Sequence, residues 1–189
     1  MRQCVQERHY SRSPDLVGND GLSLWSTMCY NSIAQGEEEH QQYMREALAE
    51  AQVAYERGEI PVGAIAVHRG HIIGRGHNRR EELADPSAHA EMIALREAAQ
   101  VLGGWRLSGV TLYCTMEPCP MCAGTMVLAR LPRLVYGVED PKSGAAGSVF
   151  DILRSPRLNH QVQVTRGVLA EESRDLLDLF FSDLRRRAK

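Results

Sequence analysis

The sequence predicts an α/β fold, three layers deep (α/β/α), around a central five-stranded mixed sheet. Three observations carry that prediction. Five short apolar runs are interleaved with longer stretches whose apolar residues recur at helical spacing, a pattern that puts helices on both faces of one sheet. At 189 residues the chain can bury one full core but not two comfortable ones. Its 43% hydrophobic and 24% charged residues are ordinary globular values.

Residues 1–36 mix Ser, Asn, Gly, Arg and Gln without a period, and the mildly apolar Leu22 to Ile33 is broken by Ser, Thr and Asn. They are expected to be a flexible N-terminal extension or an upstream start, with Met28 or Met44 as alternative initiators. A targeting peptide would need an uninterrupted apolar segment, which is missing. Residues 37–189 are expected to form the domain.

From Glu37 the pattern turns helical. Tyr43, Met44, Ala47, Leu48, Ala51, Ala54 and Tyr55 recur at three and four, and Gly58 is a stop. Val62 to Val67 and His71 to Ile73 read as strands joined by Arg69-Gly70, a hairpin signal. Ala88 to Leu102 reads as a helix closed by Gly103-Gly104, with Asp85-Pro86-Ser87 as its start and cap. Val110 to Met116 is a strand that runs into a Pro-Cys-Pro-Met-Cys motif, and Cys122 to Arg130 continues as a helix. Leu134 to Val138 and Val162 to Thr165 are further strands. Ala170 to Arg187 forms a last helix with Leu176, Leu177, Phe180 and Leu184 on one stripe, acids at its start and arginines at its end, as the macrodipole prefers.

The chemistry concentrates between His89 and Cys122. His89-Ala90-Glu91 is followed, after one helix and one strand, by Pro118-Cys119-Pro120-Met121-Cys122. One imidazole and two thiolates are three ligands for a borderline-soft tetrahedral ion, which describes zinc, with a corner left for water. Bound zinc lowers the pKa of water toward ~7, so a nucleophile exists near neutral pH. Glu91, two residues from a ligand and not needed as one, can move protons between that water and a leaving nitrogen. Cys119 and Cys122 at i and i+3 share a helix face, whereas His89 and Glu91 at i and i+2 converge only in a first turn. Two helix N-termini are therefore expected to meet at the metal.

Two duller readings compete. A Cys-x-x-Cys that opens a helix after a strand also suits a thioredoxin-like redox pair. A structural zinc site would need a fourth ligand, and Cys114 is the nearest candidate, although its mid-strand position favours packing. His40, His68, His71, His77 and His160 read as solvated loop or strand-end residues. Five cysteines is an odd count, which suits a reducing cytoplasm better than a disulfide framework. A net charge of -2 announces no global basic field, so any RNA contact must come from a local patch. No run approaches the ~18 apolar residues of a membrane span.

His-x-Glu followed by Pro-Cys-x-x-Cys is the signature of the zinc-dependent cytidine and adenosine deaminases. Together with Pro61-Val62-Gly63-Ala64, Gly76-His77-Asn78-Arg79, Asp85 to Glu91, Glu117-Pro118-Cys119 and Gly144-Ala145-Ala146-Gly147-Ser148, it resembles the bacterial tRNA-specific adenosine deaminases, from about Glu39 to about Arg187. The resemblance implies the cytidine deaminase-like fold and one zinc per subunit on His89, Cys119 and Cys122, with Glu91 as general acid and base. It also implies Asn78 and Asp140 as substrate contacts. The implied reaction is hydrolytic deamination of adenosine to inosine at wobble position 34 of a tRNA anticodon, with an arginine tRNA of ACG anticodon as the expected partner. A cytoplasmic homodimer follows on the same ground. Arg79, Arg80, Lys142 and the C-terminal arginines are the expected phosphate contacts. Arg80, Met116 and Leu184 depart from the usual pattern.

Two other functions share these residues. A deaminase of a free base or nucleoside, such as guanine or cytosine, would use the same zinc core. The Gly144 to Ser148 loop and the Phe180-Phe181 helix favour the tRNA enzymes over it. A non-catalytic, zinc-stabilised RNA-binding subunit would not need the complete His-Glu-Cys-Cys set.

Overall fold

Strand formation follows the runs of β-branched and apolar residues, and the computed structural model describes residues 21–187, with side-chain surroundings given from residue 36. The strands are β1 (Gly63–His68), β2 (His71–His77), β3 (Val110–Met116), β4 (Arg133–Val138) and β5 (Gln163–Arg166), in the order β2-β1-β3-β4-β5. β1 is antiparallel to both β2 and β3, while β3, β4 and β5 run parallel. The mixed five-stranded sheet expected from the sequence is therefore present. The helices are α1 (Gly21–Glu56), α2 (Arg80–Leu83), α3 (Ala90–Leu102), α4 (Pro120–Leu128) and α5 (Ala170–Arg187). α1 begins upstream of Glu37, inside the segment read as an extension, and residues 1–20 of that segment lie outside the described residues.

Side-chain alternation divides the core between the two faces of the sheet. Ala64, Ala66, Leu112, Cys114, Leu134 and Tyr136 point to one face and pack with α3 and α4. Ile65, Val67, Tyr113 and Val135 point to the other and pack with Met44 and Ala47 of α1 and with Leu169 at the entry to α5. Period 2 along each strand makes this division unavoidable.

The β1–β2 hairpin closes on two residues, Arg69 (φ 52) and Gly70 (φ 78), with His68 paired to His71. Two positive φ values describe a type I′ turn, whose twist matches the strands it joins. β2 continues past Ile73 to His77, further than the sequence reading placed it. The reason lies at Gly74 and Gly76, which pass directly under α3. A Cβ on Gly74 would lie 2.3 Å from the Ala94 carbonyl oxygen, and one on Gly76 would lie 2.3 Å from that of Ala90. Here glycine marks close backbone approach rather than a strand end.

The start of α3 also differs from the expectation. Asp85 does not cap it. The Asp85 carboxylate instead accepts the Ser87 amide and hydroxyl, both at 2.7 Å, and forms a local turn. The chain then leaves in extended conformation and enters the helix at His89, which holds the N-cap position. α4 starts at Pro120 rather than Cys122, because proline suits the first helical position.

Candidate metal and catalytic site

His89 (φ -77, ψ 151) and Cys119 (φ -72, ψ 171) are the N-cap residues of α3 and α4, and neither side chain caps its own helix. Extended backbone at both positions turns the side chains off the helix ends and toward each other. Cys119 Sγ lies 3.6 Å from His89 Nδ1 and 3.7 Å from Cys122 Sγ, and Cys122 Sγ lies 3.6 Å from the same nitrogen. Two Zn–S bonds of ~2.3 Å and a Zn–N bond of ~2.0 Å at tetrahedral angles require edges of roughly 3.5 to 3.8 Å. The triangle therefore fits a zinc ion in size as well as in donor chemistry.

Electrostatics point the same way. The Cys122 thiol, and beside it His89, pull the Cys119 thiol down to about 4. Its neighbour Cys122 is pushed up, first by that contact and then by burial. The hydrogen bond to Cys119 raises the His89 imidazole. Such a cluster keeps a proton that a cation would replace, as thiolate ligation requires. Cys114, the candidate fourth ligand, stays in the core, where its thiol donates to the Met116 carbonyl at 2.9 Å and burial raises it. Among the described residues the metal-ligating group is His89, Cys119 and Cys122, which leaves a tetrahedral corner without a protein ligand.

Glu91, in the first turn of α3, is 4% exposed. Desolvation raises its carboxyl above the ordinary range. Its own backbone amide and the Cys122 thiol oppose that rise.

A cavity of about 280 Å³ opens on His89, Glu91 and Cys119 and is also lined by Asn78, Asp140 and Phe181. Five of the six residues singled out from the sequence thus share one cavity, and the sixth, Cys122, is buried. Arg80 and Met116, noted as departures, line it as well. Asn78 donates its amide nitrogen to the buried Glu59 carboxylate at 3.0 Å. A carboxylate without a proton can only accept, so this contact fixes which end of the Asn78 amide faces Glu59. The oxygen and the second N–H remain for a ligand. The Asp140 carboxylate accepts the Lys142 amide at 2.9 Å and the Ser143 hydroxyl. It shapes its own turn while it lines the cavity.

Sequence reading assigned no side-chain role to Glu59 or Glu117, placed Leu177 only on the apolar stripe of the last helix, and used Phe181 only as part of the helix that favours the tRNA enzymes, whereas Glu117, Leu177 and Phe181 line the cavity. Glu59 and Glu117 are 2% and 3% exposed, and nothing local distinguishes a buried glutamate from a surface one. Phe181 comes from the far end of the chain, so only tertiary packing brings it here. Of the expected phosphate contacts, Arg79 is committed to Glu82 at 2.7 Å, and Arg186 to Asp183. Arg80 and Lys142 line the cavity and form no ion pair among the described residues.

The fold and the donor set together define a deaminase, and the profile of the MafB19-like deaminase family matches residues 38–185. The chain is 50% identical over 147 residues to the tRNA-specific adenosine deaminase of Bacillus subtilis, which covers 78% of this chain and 91% of that protein. It is 47% identical over 152 residues to the tRNA-specific adenosine deaminase of Streptococcus pyogenes serotype M18, covering 80% and 96%. A solved structure from studies of A-to-I editing by tRNA:A34 deaminases at the wobble position of transfer RNA has a TM-score of 0.70 and 44% identity, covering 72% of this chain and 99% of that one. The chain belongs to the tRNA-specific adenosine deaminase family.

Proposed function

We infer that the protein converts adenosine to inosine at the wobble position, 34, of a tRNA anticodon. The observation that carries this reading is the placement of Glu91 beside a zinc-sized His89-Cys119-Cys122 triangle at one cavity, in a chain 50% identical to a tRNA-specific adenosine deaminase. Zinc on those three ligands would supply a Lewis acid that makes water a nucleophile near neutral pH.

The chain's own residues do the rest. Glu91 accepts a proton as water adds to C6 of adenine, and delivers one to N1. A second transfer by Glu91 lets the C6 amino group depart as ammonia, so adenosine and water become inosine and ammonia. Asn78 holds the base edge with the amide atoms that Glu59 leaves free. A paired base cannot enter a cavity of about 280 Å³, so the target must be unstacked, which costs least in a loop such as the anticodon. Arg80 and Lys142 supply the phosphate contacts, and affinity should fall as salt rises.

The expected substrate is the arginine tRNA with an ACG anticodon, and the expected assembly is a cytoplasmic homodimer. Val101, Trp105 and Leu128, exposed at 61%, 59% and 72%, lie on and beside α3 and α4 and support an interface between copies. Sedimentation of a monomer would remove that part of the reading.

The deciding experiment incubates zinc-loaded protein, and its Glu91→Ala variant, with an arginine tRNA transcript bearing ACG. Inosine at position 34 is scored by nucleoside mass spectrometry. Inosine from the parent alone is the expected result. No inosine from protein that holds one zinc per chain would overturn the reading and direct the assay to guanine and cytosine.

A further inference from the structure

We propose that Glu117 is the positioning residue for the cavity wall that carries Asp140, and that it takes no part in proton transfer. The inference rests on the reading of the cavity as the site of an unstacked adenosine.

Glu117 follows the last residue of β3 and stands two residues before Cys119. Its backbone amide donates to the Val138 carbonyl at 2.8 Å, so the sheet fixes its origin. From there the carboxylate reaches across the 140–148 segment. One oxygen accepts the amides of Ala146 at 2.9 Å and Ser148 at 3.1 Å. The other accepts the Asp140 amide at 3.0 Å and the Ser148 hydroxyl. A carboxylate offers about four lone-pair sites, and here each has a donor.

Glu91 and Glu117 therefore line one cavity with opposite capacities. Glu91 retains acceptor sites for a substrate proton, and Glu117 has none to spare. What Glu117 does is brace the segment. The segment closes on it as tightly as backbone allows: a Cβ on Gly144 would lie 2.3 Å from the Glu117 carboxylate and 2.6 Å from the Asp140 carbonyl oxygen. The Ala145 amide also donates to the Pro118 carbonyl at 2.8 Å, a second tie between the same two segments. Asp140 turns its own loop through Lys142 and Ser143, and that turn takes its place relative to Cys119 from Glu117.

The test uses zinc-loaded full-length protein. Glu117→Gln keeps the shape but sets an amide NH₂ against backbone N–H donors. Without RNA, the amides of Asp140, Ala146 and Ser148 should exchange with solvent about tenfold faster or more, while those of β3 and β4 are unchanged. With an anticodon stem-loop, KM should rise about tenfold, kcat should stay within about threefold, and the pH–rate profile should not move. Gly144→Ala leaves the carboxylate in place and forces the segment off it, so it should reproduce the same split; it decides the matter if Glu117→Gln does not fold. Unchanged exchange, or faster exchange with unchanged KM, would overturn the positioning role. A kcat lower by powers of ten with a displaced pH profile would make Glu117 a participant in the chemistry, which also overturns the proposal. A parent that makes no inosine overturns the functional reading instead, and the exchange data still judge the brace.

Discussion

Glu91 at the start of α3 and Glu117 at the end of β3 are buried to the same degree, 4% and 3% exposed, and line one cavity. They differ in who donates to them. Glu117 is held by three backbone amides and a hydroxyl from a single loop, whereas at Glu91 only its own amide and the Cys122 thiol offset, by hydrogen bonding, the rise that desolvation causes. Burial alone therefore does not mark a catalytic carboxylate. Donor saturation is what would separate the proposed proton carrier from the proposed strut. Glu59 stands between the two cases, with one oxygen on the Asn78 amide at 3.0 Å and the other on the Glu82 amide at 2.8 Å.

This contrast can be broken by substitution. The largest effect is expected at Glu91, where Gln should leave zinc content at one per chain and lower single-turnover inosine formation by about 10²- to 10⁴-fold, the usual worth of a positioned acid and base. Retained turnover would erase the distinction. Next is Glu59→Gln. It replaces one of two accepting oxygens with an NH₂, so the Asn78 and Glu82 donors compete for the one that is left; a hydrogen bond of about 1.4 kcal/mol lost at Asn78 corresponds to about a tenfold rise in KM, with little change in kcat. A fall in kcat without change in KM would move Glu59 to the side of Glu91.

The smallest effect belongs to a carboxylate at the surface. The Arg79 guanidinium, then that of Arg57, holds the exposed Glu82 carboxyl down at about 2. A depressed carboxyl contributes stability that is present above its unfolded value of ~4.5 and lost as pH falls toward the folded one. Exposed pairs contribute little. Denaturation midpoints of Glu82→Gln should consequently lie slightly below the parent's at pH 6 and closer to it at pH 3, meeting it only below about pH 2. Equal deficits at both pH values would contradict the ion-pair account.

Much of this architecture was legible in the chain. β3 and α5 run from Val110 to Met116 and from Ala170 to Arg187, as their apolar patterns indicate. The convergence of His89, Glu91, Cys119 and Cys122 was readable because metal ligation constrains residue type and spacing together. What stayed hidden depends on neighbours distant in sequence. β2 runs through Gly74 and Gly76 because a helix lies against them. Asp85 looked like a cap because the competing Ser87 donors leave no periodic trace. The short helix α2 lacks buried residues, so no apolar stripe announces it. Glu59 and Glu117 carry no local sign of burial, since their partners lie 19 to 31 residues away.

The glycine seam beneath α3 has a consequence for the reaction itself. The helix that delivers His89 and Glu91 rests on the bare backbone of β2, with Ala90 directly over Gly76. No side chain lies between them to deform. A helix mounted without a cushion passes a displacement along its length, and the proposed reaction centre is at its end. One methyl group added at position 76, on a strand that presents no atom to the substrate, would be read out as rate. Redesign of which base the pocket accepts is therefore expected to find room in the surrounding walls and little at Gly74 and Gly76, where a Cβ would meet the backbone of α3 at 2.3 Å.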